Sequence, residues 1–222
     1  MTELYENDVL NNEEVEEQEV EKSSLLIGYY NYTVILTYIG MLVGFAGMLF
    51  ATKNNINYAL LCLVLSGFCD MFDGAVASTR KRTKKEKRFG VQIDSLSDLI
   101  CFGVLPAIIV SFNVNNKFST WVCGLYVLCA LIRLAYFNVD EEERQDKVGG
   151  KRKYYQGMPV TMMAIILPLA VIYLKSASVF VLLAASFAFL IPVKLKKAGN
   201  VSKVVLVAIG LFTFIRVLME VL

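Results

Sequence analysis

Seven runs of mainly apolar residues divide the 222-residue chain, and most are about as long as a membrane-spanning helix. A helix that crosses a bilayer needs about 20 apolar residues, because each residue adds about 1.5 Å of length. Hydrophobic residues make up 56% of the chain and charged residues only 19%, whereas a soluble domain has about 25% charged residues. We therefore predict an all-α integral membrane protein with helices over residues 31–52, 58–79, 90–112, 118–138, 158–174, 178–193 and 204–222.

Lysine and arginine collect in alternate loops between these helices. Segments 80–89, 139–156 and 194–203 hold seven, five and four of them, whereas the loops near Lys53, Lys117 and Lys175 hold one each. The positive-inside rule then places the basic loops in the cytoplasm, as expected for a multi-pass protein of the cell membrane. The acidic residues 1–22 predict a disordered cytoplasmic tail rather than a cleavable signal peptide.

The chain contains no histidine, which excludes histidine ligands, histidine bases and Ser-His-Asp chemistry. Its five cysteines lie in apolar stretches without CxxC spacing. We interpret them as small membrane-embedded hydrophobic residues rather than as disulfide partners or zinc ligands.

Four aspartates are the only acidic residues well inside the apolar segments: Asp70, Asp73, Asp94 and Asp98. A charged side chain at the centre of a bilayer costs about 3 kcal/mol on insertion scales, so such residues usually have a function. Spacings of three and four place each pair on one helical face, and a short loop joins the two antiparallel helices. Oxygen ligands favour Mg²⁺, Mn²⁺ or Ca²⁺, and four carboxylates suffice to bridge two ions for displacement at phosphorus.

Small residues lie in register with these aspartates. Gly74 and Ala77 follow Asp70 by about one and two helical turns, and Gly90 precedes Asp94 by one turn. Such residues serve either for close helix packing or for the approach of a bulky ligand to the backbone. Their register with the carboxylates favours the second role, the approach of a bulky, flat or phosphate-bearing group.

Residues 70–77 read D-M-F-D-G-A-V-A, and Gly90, Asp94 and Asp98 follow at intervals of four. The pattern resembles the signature of the CDP-alcohol phosphatidyltransferases, D-x2-D-G-x2-A-R followed by G-x3-D-x3-D. The resemblance covers about residues 31–197 and implies a six-helix membrane bundle plus one extra C-terminal helix. We accordingly expect an acidic tail over 1–22, a membrane domain over 23–197 and an additional transmembrane helix over 198–222.

Residues 89–106, 133–138 and 157–159 are most similar to the family members that use serine. The resemblance implies an enzyme of phospholipid biosynthesis that transfers the phosphatidyl group of CDP-diacylglycerol to the hydroxyl of L-serine and releases CMP. It implies two divalent cations, Mg²⁺ or Mn²⁺, on Asp70, Asp73, Asp94 and Asp98, with Asp98 also acting as the catalytic base.

The chain departs from the family pattern at Ser78, where the signature has arginine. If that arginine contacts the pyrophosphate, then Arg80 or Arg82 must replace it, or Ser78 must donate a hydrogen bond instead. The resemblance thus implies a CDP-lipid site that comprises Gly74, Ala77, Ser78, Arg80 and Gly90.

Arg133 is the only basic residue inside the fourth predicted helix, and Asn138 follows it near the cytoplasmic end. Arg133 either extends to the lipid headgroups or holds the serine carboxylate or a lipid phosphate in a bidentate contact, with help from Asn138.

Two other functions stay open. A family sibling would use glycerol 3-phosphate or inositol phosphate as the acceptor, which the fold does not discriminate. A divalent-cation transporter also needs intramembrane carboxylates, but near the bilayer midplane. The expected partners are CDP-diacylglycerol, L-serine and membrane lipids, without nucleic acid, and a homodimer stays open.

Overall fold

The computed structural model describes residues 27–147, 154–192, 194–196 and 200–221. The predicted tail over 1–22 lies outside the described residues. Within them the chain forms seven helices and two short strands, so the all-α fold is confirmed with one small addition. The helices are α1 (Tyr32–Thr52), α2 (Ile56–Ala77), α3 (Lys84–Val114), α4 (Lys117–Lys147), α5 (Met163–Leu174), α6 (Ser178–Leu190) and α7 (Asn200–Val221), and the strands are β1 (Tyr154–Gln156) and β2 (Lys194–Lys196).

Five helical stretches of the described chain are long and apolar enough to cross a membrane: Tyr32–Thr52, Ile56–Ala77, Lys84–Val114, Lys117–Glu143 and Val160–Leu190. Their outer faces are apolar too, since α1 exposes 45–60% of each of its large outward side chains. A soluble protein rarely leaves so continuous an apolar surface open to water. The chain is therefore a multi-pass membrane protein. The residues of this face of α1 are Ile35, Ile39, Leu42, Phe45 and Leu49.

The apolar stretch Val160–Leu190 turns back on itself, so it forms two helices, as predicted. Lys175 has φ 45° and ψ −114°, and a 3₁₀ turn over Lys175–Ala177 leads into α6. At the other end β1 pairs with β2 in antiparallel register, and the amide of Met158 donates to the carbonyl of Ala188 over 3.4 Å. Helices α5 and α6 thus form an antiparallel hairpin that the two strands close.

Glycines let α1 approach the helices that carry the aspartates. A Cβ at Gly40 would lie 3.0 Å from Cβ of Cys69 on α2, and one at Gly44 would lie 2.5 Å from Sγ of Cys101 on α3. Larger residues at these positions would separate the helices. Because α1 packs this closely, its own polar side chains reach the carboxylates.

Helix α3 contains a π-helical segment over Leu99–Val104, directly after Asp98. Pro106 has no amide hydrogen, and in a regular helix its ring would clash with the carbonyl of Phe102. The hydroxyl of Tyr126 on α4 donates to that carbonyl instead, over 2.5 Å. Phe102 and Tyr126 are 1% and 0% exposed, so this bond satisfies a polar group in the centre of the core.

Helix α3 begins at Lys84, six residues before the predicted start at 90. Thr83 and Glu86 form a capping box, in which the amide of Glu86 donates to Oγ1 of Thr83 and the amide of Thr83 donates to Oε2 of Glu86. This T-x-x-E motif is a helix start signal, and the apolar pattern alone does not show it. Asp94 therefore lies well inside a helix whose first turns are basic.

The predicted ends of α4 and α6 were also wrong. Helix α4 continues through the acidic segment after residue 138 to Lys147, because that segment holds helix-forming residues and no glycine before Gly149. Helix α6 ends at Leu190 rather than at residue 193, because Pro192 restricts the backbone of the residue before it.

Helix α7 packs along α2 in the antiparallel direction. The rings of Phe68 and Phe214 lie 6.4 Å apart. Where α2 begins and α7 ends, Nδ2 of Asn57 donates to the backbone carbonyl of Glu220 over 2.7 Å. Helix α7 also contacts α5, because Nε of Arg216 donates to the hydroxyl of Tyr173 over 3.0 Å. Helix α7 thus follows α2 almost from end to end, while its separate status as a transmembrane unit over 198–222 stays a prediction.

Candidate active site

Three of the four aspartates converge between α2 and α3. Asp70, Asp73 and Asp94 each offer a carboxylate oxygen, and these oxygens all lie within 4.8 Å of one another. Asp70 and Asp73 occupy the last two turns of α2, while Asp94 comes from the antiparallel α3. Three carboxylate oxygens at this spacing suit a hard divalent cation, which binds oxygen ligands at 2.0–2.6 Å.

Asp98 lies one turn further along α3 than Asp94, close enough to Asp70 for their carboxyls to interact electrostatically. The carboxyls of Asp73 and Asp94 interact in the same way. All four side chains are half-buried. Carboxylates this close repel one another in a medium of low polarity, so cations or protons must neutralise the cluster.

Helix α1 supplies a hydrogen bond to the cluster. Oγ1 of Thr37 donates to Oδ2 of Asp73 over 3.0 Å, and Thr37 is only 7% exposed. The backbone carbonyl of Thr37 also accepts a 3.5 Å hydrogen bond from Oγ of Ser97 on α3. A single residue of α1 therefore contacts both helices that carry the aspartates.

A cavity of about 220 Å³ opens beside Asp73 and Asp94, between α1, α2 and the start of α3. Gly74, Ala77 and Gly90 line it, as expected for residues that leave room for a ligand. A Cβ at Gly74 would meet no heavy atom within 4 Å, so Gly74 does not serve close helix packing. Arg82 and Lys87 line the same cavity and give it a basic wall beside its acidic one.

Ser78 and Arg80, both expected at the CDP-lipid site, do not line this cavity. Oγ of Ser78 donates to the carbonyl of Ala75 in its own helix over 2.7 Å. Nη2 of Arg80 lies 3.8 Å from Oε1 of Glu86, and that oxygen also accepts a 2.9 Å hydrogen bond from Asn31 at the start of α1. Glu86 thus ties the start of α3 to α1 and holds Arg80 away from the cavity.

Arg82 takes the position beside the glycine of the motif. Its Nη1 would lie 3.0 Å from a Cβ at Gly90, so the absence of a side chain at residue 90 lets the guanidinium fold over α3. Of the three alternatives for the missing family arginine, Arg82 is the one that lines the cavity with Asp73 and Asp94.

Asn138 connects α4 to α3 on both sides of Asp94. Its Oδ1 accepts a 2.6 Å hydrogen bond from Oγ of Ser95, and its Nδ2 donates to Oε1 of Gln92 over 3.2 Å. In the described structure Asn138 does not line the cavity of Asp73 and Asp94. Its contacts orient α3 around Asp94.

Arg133 lines a cavity other than that of Asp73 and Asp94. It is 8% exposed and lines a cavity of about 270 Å³ between α4 and the end of α6. Among the described residues, this cavity and that of Asp73 and Asp94 share no lining residue. In the described structure Asn138 does not line the Arg133 cavity either, and a joint action of Arg133 and Asn138 on the acceptor stays a prediction.

Three polar residues that line the cavity were not predicted from the sequence: Thr33, Thr37 and Lys87. Thr33 and Thr37 both line the cavity, and their spacing of four residues in an otherwise apolar helix places them on one face. Lys87 precedes Gly90 and Asp94 by three and seven residues, which also indicates a common face once α3 is known to begin at Lys84.

Comparison with known sequences is consistent with this site. The sequence model of the CDP-alcohol phosphatidyltransferase family matches residues 30–215, which include all four aspartates and most of α7. The CDP-diacylglycerol–serine O-phosphatidyltransferase of Saccharomyces cerevisiae is 36% identical over 146 residues, which are 60% of this chain and 52% of that protein. The archaetidylserine synthase of Methanothermobacter thermautotrophicus is 31% identical over 157 residues, 68% of this chain and 64% of that protein.

The CDP-diacylglycerol–serine O-phosphatidyltransferase of Helicobacter pylori is 30% identical over 146 residues, which are 64% of this chain and 58% of that protein. The chain thus matches between half and two thirds of the length of these three relatives.

Proposed function

The chain belongs to the CDP-alcohol phosphatidyltransferase family, and on this basis we propose that it transfers the phosphatidyl group of CDP-diacylglycerol to L-serine and releases CMP. The observation that carries the proposal is the cavity of about 220 Å³ with Asp73 and Asp94 on one side and Arg82 and Lys87 on the other. A ligand that bears a pyrophosphate suits such a site, because its charge needs both basic side chains and cations held by carboxylates.

Asp70, Asp73 and Asp94 would hold divalent cations, Mg²⁺ or Mn²⁺, and Asp98 would complete the set. The oxygens of the first three within 4.8 Å of one another fit this assignment. When bound, the two cations would neutralise the pyrophosphate and stabilise the charge that develops on the departing CMP.

Arg82 and Lys87 would contact the pyrophosphate of the CDP-lipid, and Arg82 would replace the family arginine that Ser78 lacks. Gly74, Ala77 and Gly90 would leave space for the cytidine end. The engagement of Ser78 with Ala75 and of Arg80 with Glu86 supports this division, because a side chain already bonded elsewhere contributes less to a ligand.

Asp98 would act as the base. The serine oxygen forms the new bond to the β-phosphorus, the bond between that phosphorus and the oxygen of CMP breaks, and the serine proton passes to the Asp98 carboxylate. A serine hydroxyl is a weak nucleophile at neutral pH, so removal of its proton assists the attack.

Asn138 would act through Ser95 and Gln92 by orienting α3 around Asp94. The binding of an acceptor carboxylate or a lipid phosphate by Arg133 stays a prediction, as does a homodimer. We also propose that the protein lies in the cell membrane with the site toward the cytoplasm, because the basic segment 80–89 joins the ends of α2 and α3 that carry the aspartates.

The proposal is tested with purified protein in lipid nanodiscs, CDP-diacylglycerol and Mn²⁺. Serine, glycerol 3-phosphate and inositol phosphate are compared as acceptors, and CMP release is measured. We expect release with serine alone and its loss with EDTA. Release only with glycerol 3-phosphate or inositol phosphate would assign the protein to a sibling activity.

A cation transporter is the remaining alternative, and the basic side chains beside the carboxylates disfavour it, since they repel a passing cation. The control is Mn²⁺ uptake into proteoliposomes without CDP-lipid. Mn²⁺ uptake into these proteoliposomes, together with no CMP release from CDP-diacylglycerol with any acceptor, would overturn the proposed function.

A further inference from the structure

A second cavity begins at Asp70 and, among the described residues, shares no lining residue with the cavity of Asp73 and Asp94. It has a volume of about 150 Å³ and lies between α2, α5 and the C-terminal helix α7. Asp70, Gly67 and Met71 line it from α2, Thr161 precedes α5, and Leu206 and Gly210 belong to α7. Asp70 also belongs to the carboxylate cluster, so this cavity meets the candidate active site at Asp70.

The lining of this cavity selects an apolar occupant. Asp70 and Thr161 are its polar residues, and among the described lining residues none is basic. An amino acid or a nucleotide phosphate would need a cationic partner for its negative charge, and none of these residues supplies one. A hydrocarbon chain needs no polar partner and packs against apolar side chains through van der Waals contacts.

Small residues keep the cavity open. A Cβ at Gly210 would lie 3.3 Å from the ring of Phe68, so any larger residue there would occupy part of the space. A Cβ at Gly67 would lie 2.6 Å from Cβ of Ala164, so α5 and α2 are already in close contact beside the cavity. The volume of the cavity is therefore set mainly by the side chains of α7 that line it, Leu206 and Gly210.

The outer face of α7 is apolar next to this cavity, since Val205 and Ile209 are 50% and 40% exposed. A chain that leaves the cavity between α2 and α7 would therefore continue along an apolar surface. We propose that this cavity holds the first part of an acyl chain of the CDP-lipid, with α7 as its outer wall. The inference rests on the proposed function, because Asp70 then lies beside the phosphate from which the lipid extends.

Two substitutions change the cavity in opposite directions. Gly210→Leu narrows it, and we expect kcat/KM for dioleoyl CDP-glycerol to fall about tenfold. For the dibutanoyl CDP-lipid, whose chains end close to the carboxylates, kcat/KM of Gly210→Leu should stay within about twofold of the wild-type value. Leu206→Ala widens the cavity and should raise the use of a methyl-branched CDP-lipid relative to a straight-chain one. The control is Gly124→Leu on α4, where an added Cβ meets no heavy atom within 4 Å.

A binding experiment locates the chain without turnover. A CDP-diacylglycerol with a diazirine on its acyl chain is cross-linked in the absence of serine, and labelled peptides are identified by mass spectrometry. We expect labels on α7 around residues 206–210, and Gly210→Leu should reduce them. Because Gly210→Leu also tightens the contact with Phe68, its folding is checked by thermal stability, and Leu206→Ala tests the cavity independently.

The outcomes separate the two proposals. If no lipid releases CMP with any acceptor, the proposed function fails. If the wild-type protein releases CMP but labels lie elsewhere than on α7, or if both variants keep the wild-type preference for chain length and branching, then the acyl-chain cavity fails while the activity stands.

Discussion

Oγ1 of Thr37 donates a 3.0 Å hydrogen bond to Oδ2 of Asp73, across the interface between the first two helices. Gly40 on α1, where a Cβ would lie 3.0 Å from Cβ of Cys69 on α2, lets the two helices approach closely enough for this bond. The first apolar helix is therefore part of the carboxylate site, although it carries no carboxylate itself.

Substitution of Thr37 tests this connection. Thr37→Val keeps the shape of the side chain and removes the donor, so Asp73 is less well oriented and the Mn²⁺ concentration for half-maximal activity should rise about tenfold. Direct Mn²⁺ binding should weaken by a similar factor, whereas kcat at saturating Mn²⁺ should change little. Thr37→Ser keeps the donor, so it should restore both the half-maximal Mn²⁺ concentration and the Mn²⁺ affinity. Thr213→Val on α7 is the matched control, because that buried hydroxyl donates only to Ile209 of its own helix. An unchanged Mn²⁺ dependence in Thr37→Val would refute the role.

Two neighbouring arginines should differ sharply. Arg82 lines the cavity, whereas Arg80 lies beside Glu86. Arg82→Ala should lower kcat/KM for CDP-diacylglycerol by about 10- to 100-fold, since a hydrogen bond to a charged group contributes about 1.5–3 kcal/mol. Arg80→Ala should stay within about threefold of wild type, because a surface ion pair contributes about 1 kcal/mol or less. If Arg80→Ala lowered kcat/KM more than Arg82→Ala, then Arg80 rather than Arg82 would take the role of the family arginine.

Asp98→Asn should separate binding from turnover. The amide cannot take the serine proton, so CMP release should fall by at least about 100-fold. The affinity for CDP-diacylglycerol, measured by equilibrium binding, should change much less, because Asp70, Asp73 and Asp94 remain. Asp73→Asn is the comparison and should weaken Mn²⁺ binding itself. Near-normal turnover by Asp98→Asn would remove the assignment of Asp98 as the base.

Gly74 distinguishes ligand space from helix packing. Gly74→Leu places a side chain in the cavity without meeting a heavy atom at its Cβ, so thermal stability should stay at or above that of wild type, given the poor helix propensity of glycine. Binding of CDP-diacylglycerol should weaken at least about tenfold, because the side chain occupies ligand volume. Gly124→Leu, also in open space, should leave both properties unchanged. A loss of stability in Gly74→Leu alone would show that Gly74 serves packing.

Much of the fold could be predicted from the sequence because it follows from local chemistry. Apolar length predicted seven helices, and the hairpin of α5 and α6 followed from a lysine between two apolar runs. The predicted start of α3 and the predicted end of α4 were wrong, because an apolar pattern gives no information where a helix continues as a polar segment beyond the membrane. The capping box of Thr83 and Glu86 carried the missing information for α3.

The four aspartates, their spacing and the glycines beside them were sufficient to predict a carboxylate site for divalent cations, since a charge inside an apolar helix requires a reason. The sequence by itself therefore determined the reaction class to be tested. It did not determine which side chains complete the site, because hydrogen-bond partners such as Thr37 and Asp73 are 36 residues apart. Only the tertiary structure placed Arg82 rather than Ser78 or Arg80 at the cavity of Asp73 and Asp94, and only it brought α7 beside Asp70. These outcomes depend on distances between helices, which packing decides and no local pattern encodes.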